Sequence, residues 1–185
     1  DVKVYANIGT HGIDGCMSSF LGQAIVTEKP SYLVIGDLAF FYDMNAAQLR
    51  HIKNNVHILL INNRGGSEFY FNQVWKNEAS DLHTTARHEK VAEGWIRSND
   101  FIYLSAHDKA SFDEALKEFM REDLDKPVFF EVFTEMKTDS ETIYDFFDLS
   151  RPKDVQSEAI RKSKELIKAT IGQEKAQKMA SIFKK

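Results

Sequence analysis

Cysteine is nearly absent from this 185-residue chain, which contains Cys16 alone. A single thiol can form neither an internal disulfide nor a metal site built from several thiolates, which fits a reducing compartment. Long apolar runs are missing too: stretches such as residues 129–133 are far too short to cross a bilayer, and the N-terminus lacks a secretory signal pattern. We therefore expect a cytoplasmic protein that does not use a membrane.

An excess of basic residues is also lacking. Lys and Arg number 24 against 28 Asp and Glu, a net charge of −4, which argues against binding nucleic acid through overall charge. Apolar residues make up 43% of the chain and aromatic residues 12%, so the chain can bury the core of one ordinary domain. Because a strand-like segment follows directly on Asp1, with no initiator Met, we expect a piece of a longer protein.

Short β-branched or aromatic runs alternate with longer segments whose apolar residues recur every three or four positions. The short runs predict strands at residues 2–6, 32–35, 56–61, 101–105 and 128–133. The longer segments predict helices at residues 13–26, 45–53, 89–98 and 112–122. This alternation predicts an α/β fold, an open parallel sheet of about five to six strands with helices on both faces.

Two stretches are less regular. Residues 65–87, which include Gly65-Gly66 and an aromatic cluster, are too long for a plain turn and are typical of a functional loop. From Arg151 the composition changes to Lys, Glu, Gln, Ala and Ile. This change predicts a helical tail, residues 151–185, attached to a binding domain of residues 1–150.

Polar and glycine-rich segments follow the first three predicted strands. Gly36-Asp37 follow the second strand, Asn62-Asn63-Arg64-Gly65-Gly66 follow the third, and a glycine-rich segment, residues 7–15, follows the first. Ligands of open parallel sheets bind beyond the carboxyl ends of the strands. One carboxylate, one carboxamide and closely approaching glycine backbone suit a Mg²⁺ ion that is also held by a phosphate, with helix N–H groups available to the anion.

The spacing of these residues resembles a known family. Gly36-Asp37, with Asn63 26 residues beyond Asp37, resembles the metal-binding motif of thiamine-diphosphate-dependent enzymes, in their diphosphate-binding domain. Further segments extend the resemblance, over about residues 5–135, to the C-terminal part of the menaquinone-pathway synthases and to acetolactate-synthase-like proteins. These segments are Gly12-Ile13-Asp14-Gly15, Tyr42-Asp43-Met44-Asn45 and Gly65-Gly66.

The resemblance implies a role for each matching position. Asp37 and Asn63 would ligate Mg²⁺ through side-chain oxygens and Gly65 through its carbonyl, while the cofactor diphosphate fills other positions. Ile13 would wedge under thiamine diphosphate and hold it bent. The remaining residues implied to contact the cofactor are His11, Gly12, Asp14, Gly36, Leu38, Ala39 and Phe69. The implied activity is decarboxylation of a 2-oxo acid and transfer of the resulting acyl carbanion, chemistry that the cofactor carries.

The resemblance also implies a partner. Enzymes of this family activate the cofactor with a glutamate from a separate pyrimidine-binding domain, contributed across a dimer interface. A chain of 185 residues has no room for that second domain, so no catalytic residue is assigned here. We expect this chain to bind the cofactor weakly alone, and to act within a dimer or tetramer beside a pyrimidine-binding domain or subunit.

The sequence departs from the family at three positions. Ile8 stands where the menaquinone synthases have an arginine that holds an acidic substrate, which puts a cyclic dicarboxylate acceptor in doubt. Glu68 replaces the aliphatic member of an aliphatic-aromatic pair near the reacting carbon. Ala39 replaces a small hydroxyl residue and could cost one phosphate contact.

Simpler interpretations remain open. Asp37 could merely cap a helix and Asn62-Asn63 could form a polar turn, while His83 and His88 are expected to be solvated or capping residues. The alternative functions are a decarboxylase that does not ligate, acting on a phosphono- or sulfo-substituted pyruvate, and a non-catalytic structural partner. A dinucleotide-binding domain ranks last because its glycine fingerprint is missing.

Overall fold

The computed structural model describes residues 3–7, 12–71 and 83–150; the tail predicted from Arg151 onward lies outside these ranges. The chain divides into two units, Asp1–Tyr144 and Asp145–Lys185, and the sheet lies in the first. Among the described residues, no helix is both long and apolar enough to cross a lipid bilayer. In chain order the elements are α1 (Cys16–Ala24), β1 (Ser31–Gly36), α2 (Asp37–Asp43), a 3-10 helix (Met44–Gln48), β2 (Val56–Asn62), α3 (Ser67–Phe71), α4 (Glu93–Ser98), β3 (Ile102–Ala106), α5 (Lys109–Phe119), β4 (Val128–Phe133) and α6 (Met136–Ser150).

The sheet confirms the predicted α/β fold. Its strands are all parallel and lie in the order β1-β2-β4-β3. The central strands β2 and β4 are almost wholly buried, as near-continuous apolar runs predict, whereas β1 at the edge alternates between partly buried and exposed residues. The described residues form four strands rather than the expected five to six.

Apolar side chains pack on both faces of the sheet. On one face Ile58, Leu60 and Phe129 meet Met17 and Leu21 of α1. On the other, the alternate β4 residues pack against the apolar side of α5, in a cluster comprising Val128, Phe130, Val132, Phe119, Leu124 and Ala106. Helices therefore cover both faces, as predicted.

The strand predicted at residues 2–6 is wrong over the part that is described. Residues 3–7 carry no strand assignment and are exposed, with Val4 and Tyr5 among the most accessible apolar residues. Valine and tyrosine favour a strand only where a neighbouring strand completes the ladder. Among the described residues, none pairs with this segment.

The helix predicted at residues 45–53 is also wrong. The α-helix α2 begins directly at the end of β1, with Asp37, and then tightens into the 3-10 helix, which ends where Leu49 turns extended. Fully buried Phe40 anchors α2 in the core. The apolar spacing after Met44 reflects a short 3-10 connection rather than a new helix.

Other helix bounds shift by a few residues, and two helices were not predicted. The start of α5 is set by a capping box between Asp108 and Ser111, three residues before the predicted start. The short helix α3 lies inside the predicted loop. The unpredicted α6 buries Met136 near Gly65, and its Ser140 hydroxyl lies 3.0 Å from the Ser67 carbonyl and 2.7 Å from the Met136 carbonyl.

A buried glutamate links three elements beneath the carboxyl edge of the sheet. Glu131, fully buried on β4, accepts hydrogen bonds from Asn62 Nδ2 at 2.7 Å, the Tyr103 hydroxyl at 2.6 Å and the Ala92 amide at 3.1 Å. Burial, followed by the hydrogen bond to Glu131, raises the pKa of Tyr103 well above its usual range. Glu131 is therefore a buried carboxyl group whose hydrogen-bond donors are supplied.

Replacing this glutamate tests the network. Glu131→Ala leaves three buried donors without their acceptor, so we expect the free energy of unfolding to fall by about 3 kcal/mol or more. Urea denaturation measures the change. Glu114→Ala, at an exposed helix position, serves as the control, for which we expect a change within about 0.5 kcal/mol. Equal stability of Glu131→Ala and the wild type would contradict the assignment.

A buried histidine lies at the opposite edge of the sheet. His57 on β2 is 1% exposed and stacks on Tyr32, and its Nδ1 lies 2.8 Å from the Phe119 carbonyl, to which it donates. Burial lowers the pKa of His57, opposed by that hydrogen bond and by the charge of Glu122. The folded protein therefore holds this imidazole neutral at pH values where the unfolded chain binds a proton.

This shift predicts a loss of stability on acidification. Because the folded pKa of His57 is lowered, the unfolded state binds more protons as the pH falls through about 6.5, the ordinary histidine value, and stability falls with it. Denaturant midpoints between pH 8 and pH 5 measure the slope. His57→Gln is expected to flatten the slope between pH 7 and pH 6, and an unchanged slope would contradict the assignment.

Candidate functional site

The carboxyl ends of three strands meet at one edge of the sheet. Gly36 at the end of β1 pairs in register with Ile61, and Asn62 at the end of β2 pairs with Phe133 of β4. The residues that follow these strands therefore begin side by side. This is the edge at which open α/β sheets bind ligands.

Asp37 joins the ends of β1 and β2. Its side chain is 3% exposed; Oδ2 accepts the Gly65 amide at 3.0 Å, and Oδ1 accepts the Leu38 amide at 2.6 Å. Burial raises the pKa of Asp37, while nearby His88 and the amides of Leu38, Gly65 and Arg64 act to lower it. The bond to Gly65 reaches a neighbouring strand end, so Asp37 does more than cap its own helix.

The expectation that His88 is a solvated or capping residue is wrong. Its side chain is 7% exposed, and Nε2 lies 3.3 Å from Asp37 Oδ2 without the alignment of a hydrogen bond. Nδ1 accepts the Lys90 amide at 3.0 Å, and Phe41 packs edge-on against the ring. Because His88 lies 51 residues beyond Asp37 in the sequence, no local pattern could have paired the two. His83, by contrast, is exposed as expected.

The turn after β2 is held by Asn62. Arg64 adopts a left-handed backbone with φ of 68°, and its amide donates to Asn62 Oδ1 at 3.2 Å. Asn62 Nδ2 donates to the Lys90 carbonyl at 3.0 Å as well as to Glu131. Asn62 is thus a structural residue of the turn, and Asn63 remains the predicted metal ligand of the pair.

Asn63 has one end of its amide bonded and the other bare. Nδ2 donates to Asp139 Oδ2 at 3.1 Å, and the Thr134 hydroxyl donates to the same oxygen at 2.6 Å. Asn63 Oδ1 is buried and receives no hydrogen bond from any described residue. A buried acceptor without a donor is costly in a folded protein unless water, a ligand or an ion completes it.

The two glycines of the turn are tightly enclosed. A Cβ on Gly65 would lie 2.6 Å from Met136 Cε and 2.8 Å from the Thr85 carbonyl, and one on Gly66 would lie 2.9 Å from Phe69 Cδ2. Two backbone hydrogen bonds close the base of the long loop: Gly66 N to Thr85 O at 2.7 Å, and His88 N to Arg64 O at 3.0 Å. Glycine is required here because other chain segments approach the backbone closely.

The structure places half of the remaining sequence-predicted residues near Asp37 and the turn after β2. Gly36, Leu38 and Ala39 flank Asp37, and Phe69 lies on α3 over Gly66 with half its surface exposed. Gly12, Ile13 and Asp14 precede α1, which is bonded to the far end of α2 through Ser18 and Asp43. His11, like Ile8, lies outside the described residues.

The donor set at this edge is made of oxygen atoms and carries little charge. Within the described ranges, no group of three or more His, Cys, Asp or Glu side chains could hold a metal ion. Asp37, the bare Asn63 oxygen and the backbone of Gly65 are hard ligands suited to Mg²⁺ if an anionic ligand supplies the rest. They do not suit a soft metal ion such as Cu(I), which prefers sulfur ligands.

Comparison with known proteins tests the resemblance that the motifs predict. The chain is 39% identical over 148 residues to the 2-succinyl-5-enolpyruvyl-6-hydroxy-3-cyclohexene-1-carboxylate synthase of Bacteroides fragilis, a match that covers 79% of this chain and 27% of the relative. This chain resembles one part of that synthase. The synthases of Bacteroides thetaiotaomicron, 35% identical over 82% of the chain and 28% of the relative, and Christiangramia forsetii, 32% over 81% and 26%, match similarly. The resemblance expected from the motifs is confirmed.

Two facts limit what the similarity to these synthases implies for this chain. The chain spans about 27% of the length of the first synthases it matches, so their whole activity does not transfer to it directly. No protein-family model matches the chain.

Substituting the enclosed glycine tests the geometry of the turn. Gly65→Ala forces its methyl group against Met136 and the Thr85 carbonyl, so we expect a loss of about 1–3 kcal/mol in the free energy of unfolding, measured by urea denaturation. Gly22→Ala, in α1 with no atom near the added methyl group, is the matched control and should gain up to about 1 kcal/mol. An unchanged free energy of unfolding in Gly65→Ala would show that the turn has space for the added methyl group.

Proposed function

We propose that this chain is the diphosphate-binding domain of an enzyme that uses thiamine diphosphate and Mg²⁺ to decarboxylate a 2-oxo acid and transfer the resulting acyl carbanion. The observation that carries the proposal is the buried, donorless Asn63 Oδ1, two residues before Gly65, whose amide is bonded to Asp37. The similarity to the carboxylate synthases supports the same function.

In this proposal the metal lies between the ends of β1 and β2. Asp37 and Asn63 hold Mg²⁺ through side-chain oxygens, and Gly65 holds it through its carbonyl. With one protein carboxylate in the set, the diphosphate of the cofactor contributes the remaining anionic ligands. The bare Asn63 oxygen fits this role because a cation replaces the hydrogen bond that it lacks.

The other residues of this edge hold and enclose the cofactor. When bound, thiamine diphosphate would supply the electron sink for loss of carbon dioxide from a 2-oxo acid. Gly36, Leu38 and Ala39 bring backbone to the diphosphate, and Phe69 covers it beside the enclosed glycines. Gly12, Ile13 and Asp14, with His11, complete the cofactor site from the segment before α1.

The proposal requires a second domain. The activating glutamate belongs to a pyrimidine-binding domain or subunit, and the working enzyme is a dimer or larger assembly. The span of the match, about a quarter of the relatives' length, leaves room for such a domain in them.

Removal of the metal-binding carboxylate tests the proposal. Asp37→Ala deletes the one acidic ligand, so Mg²⁺-dependent binding of thiamine diphosphate should weaken at least about 10- to 100-fold, while circular dichroism shows the fold retained. Isothermal titration calorimetry of the chain, with the pyrimidine-binding domain of a relative supplied, measures the affinity.

The control is Asp113→Ala, an exposed carboxylate on α5 that pairs with Lys109 and should bind as the wild type does. If the wild-type chain binds no cofactor under these conditions, the enzyme proposal fails and the non-catalytic interpretation replaces it. If Asp37→Ala binds normally, the metal assignment fails. Product analysis of the assembled enzyme separates a carboligase, which forms an acyloin, from a simple decarboxylase, which forms an aldehyde.

A further inference from the structure

Asp139 and Asn63 form a contact that neither the motif nor the proposed ligand set includes. Asp139 lies in the first turn of α6, and its Oδ2 accepts hydrogen bonds from Asn63 Nδ2 at 3.1 Å and from the Thr134 hydroxyl at 2.6 Å. It joins the helix after β4 to the turn after β2.

The chemistry of this contact determines which end of the Asn63 amide faces Asp139. An ionised carboxylate only accepts hydrogen bonds, whereas an asparagine amide carries a donor end and an acceptor end. The Asn63 NH₂ group must therefore turn toward Asp139, and Oδ1 must turn away. That oxygen is the one left buried and without a donor.

Thr134 supports the same orientation of the Asn63 amide. Its hydroxyl donates to the Asp139 oxygen that Asn63 also uses, so that oxygen receives two donors. Because Thr134 directly follows β4 and its amide donates to the Asn62 carbonyl at 3.0 Å, the pair is tied to the end of the sheet. The orientation of Asn63 is thus built into two neighbouring strand ends.

We propose that Asp139 is a positioning residue for the metal site: it binds no metal, but it selects the carbonyl end of Asn63 as the ligand for Mg²⁺. This inference rests on the proposed function, since it assigns a purpose to the bare oxygen. The metal site then needs two acidic residues: Asp37 is a ligand, and Asp139 orients the ligand Asn63.

The first test measures the affinity for Mn²⁺, a paramagnetic substitute for Mg²⁺. Electron paramagnetic resonance follows free Mn²⁺ in titrations of the full chain with thiamine diphosphate and the supplied pyrimidine-binding domain. Asp139→Ala frees the Asn63 amide to rotate, so we expect Mn²⁺ binding to weaken about 10- to 100-fold. Asp139→Asn, whose carbonyl can accept both donors, should recover part of that loss.

The control is Glu141→Gln on the same helix, an exposed carboxylate 3.9 Å from Lys137, which should bind Mn²⁺ as the wild type does. Binding by Asp139→Ala equal to the wild type overturns this inference and leaves the proposed function standing. Equal losses in Asp139→Ala and Asp139→Asn overturn it too, because they indicate charge rather than orientation. No Mn²⁺ binding by the wild type overturns the proposed function itself.

The second test needs no metal. In ¹⁵N spectra of the metal-free chain, the Asn63 side-chain NH₂ signals, assigned with Asn63→Ala, should exchange slowly with water and lose that protection in Asp139→Ala. Unchanged exchange would show that Asp139 does not hold the amide, and would overturn the inference whatever the metal titrations show.

Discussion

The hydrogen bond from the Gly65 amide to the Asp37 carboxylate is the constraint on which the site depends. It joins the residues that follow two adjacent parallel strands, and the register of those strands brings the two ends together. A carboxylate so placed is removed from water, and burial raises its pKa. Its position at a shared edge, rather than its identity alone, makes it a candidate ligand.

The two asparagines of the motif have different functions because different carboxylates hold them. Glu131 binds the Asn62 amide from below, and Asn62 in turn fixes the backbone of the left-handed turn at Arg64. Asp139 binds the Asn63 amide from the side. The same residue type thus serves once as a structural brace and once as a candidate ligand. Glu131 lies 69 residues from Asn62 and Asp139 lies 76 residues from Asn63, so neither role is visible in the motif.

The sequence predicted the parallel sheet, its buried centre and the meeting of Asp37 with the turn after β2, because these depend on local patterns and on a general rule of parallel sheets. It could not predict His88, Glu131 or Asp139 at this edge, because each reaches the site through the tertiary fold. The sequence shows Glu131 only as a single acidic residue inside an otherwise apolar strand. Helix α6 was missed although Met136 at its start is buried, because its docking onto Gly65 and Ser67 joins residues about 70 positions apart.

The closed turn between Arg64 and His88 has an evolutionary consequence. The Gly66 amide donates to the Thr85 carbonyl and the His88 amide donates to the Arg64 carbonyl, and backbone bonds do not depend on which side chains are present. Neither bond therefore requires the Thr85 or Arg64 side chain, so the closure of the chain at this point is encoded in the backbone rather than in residue identity.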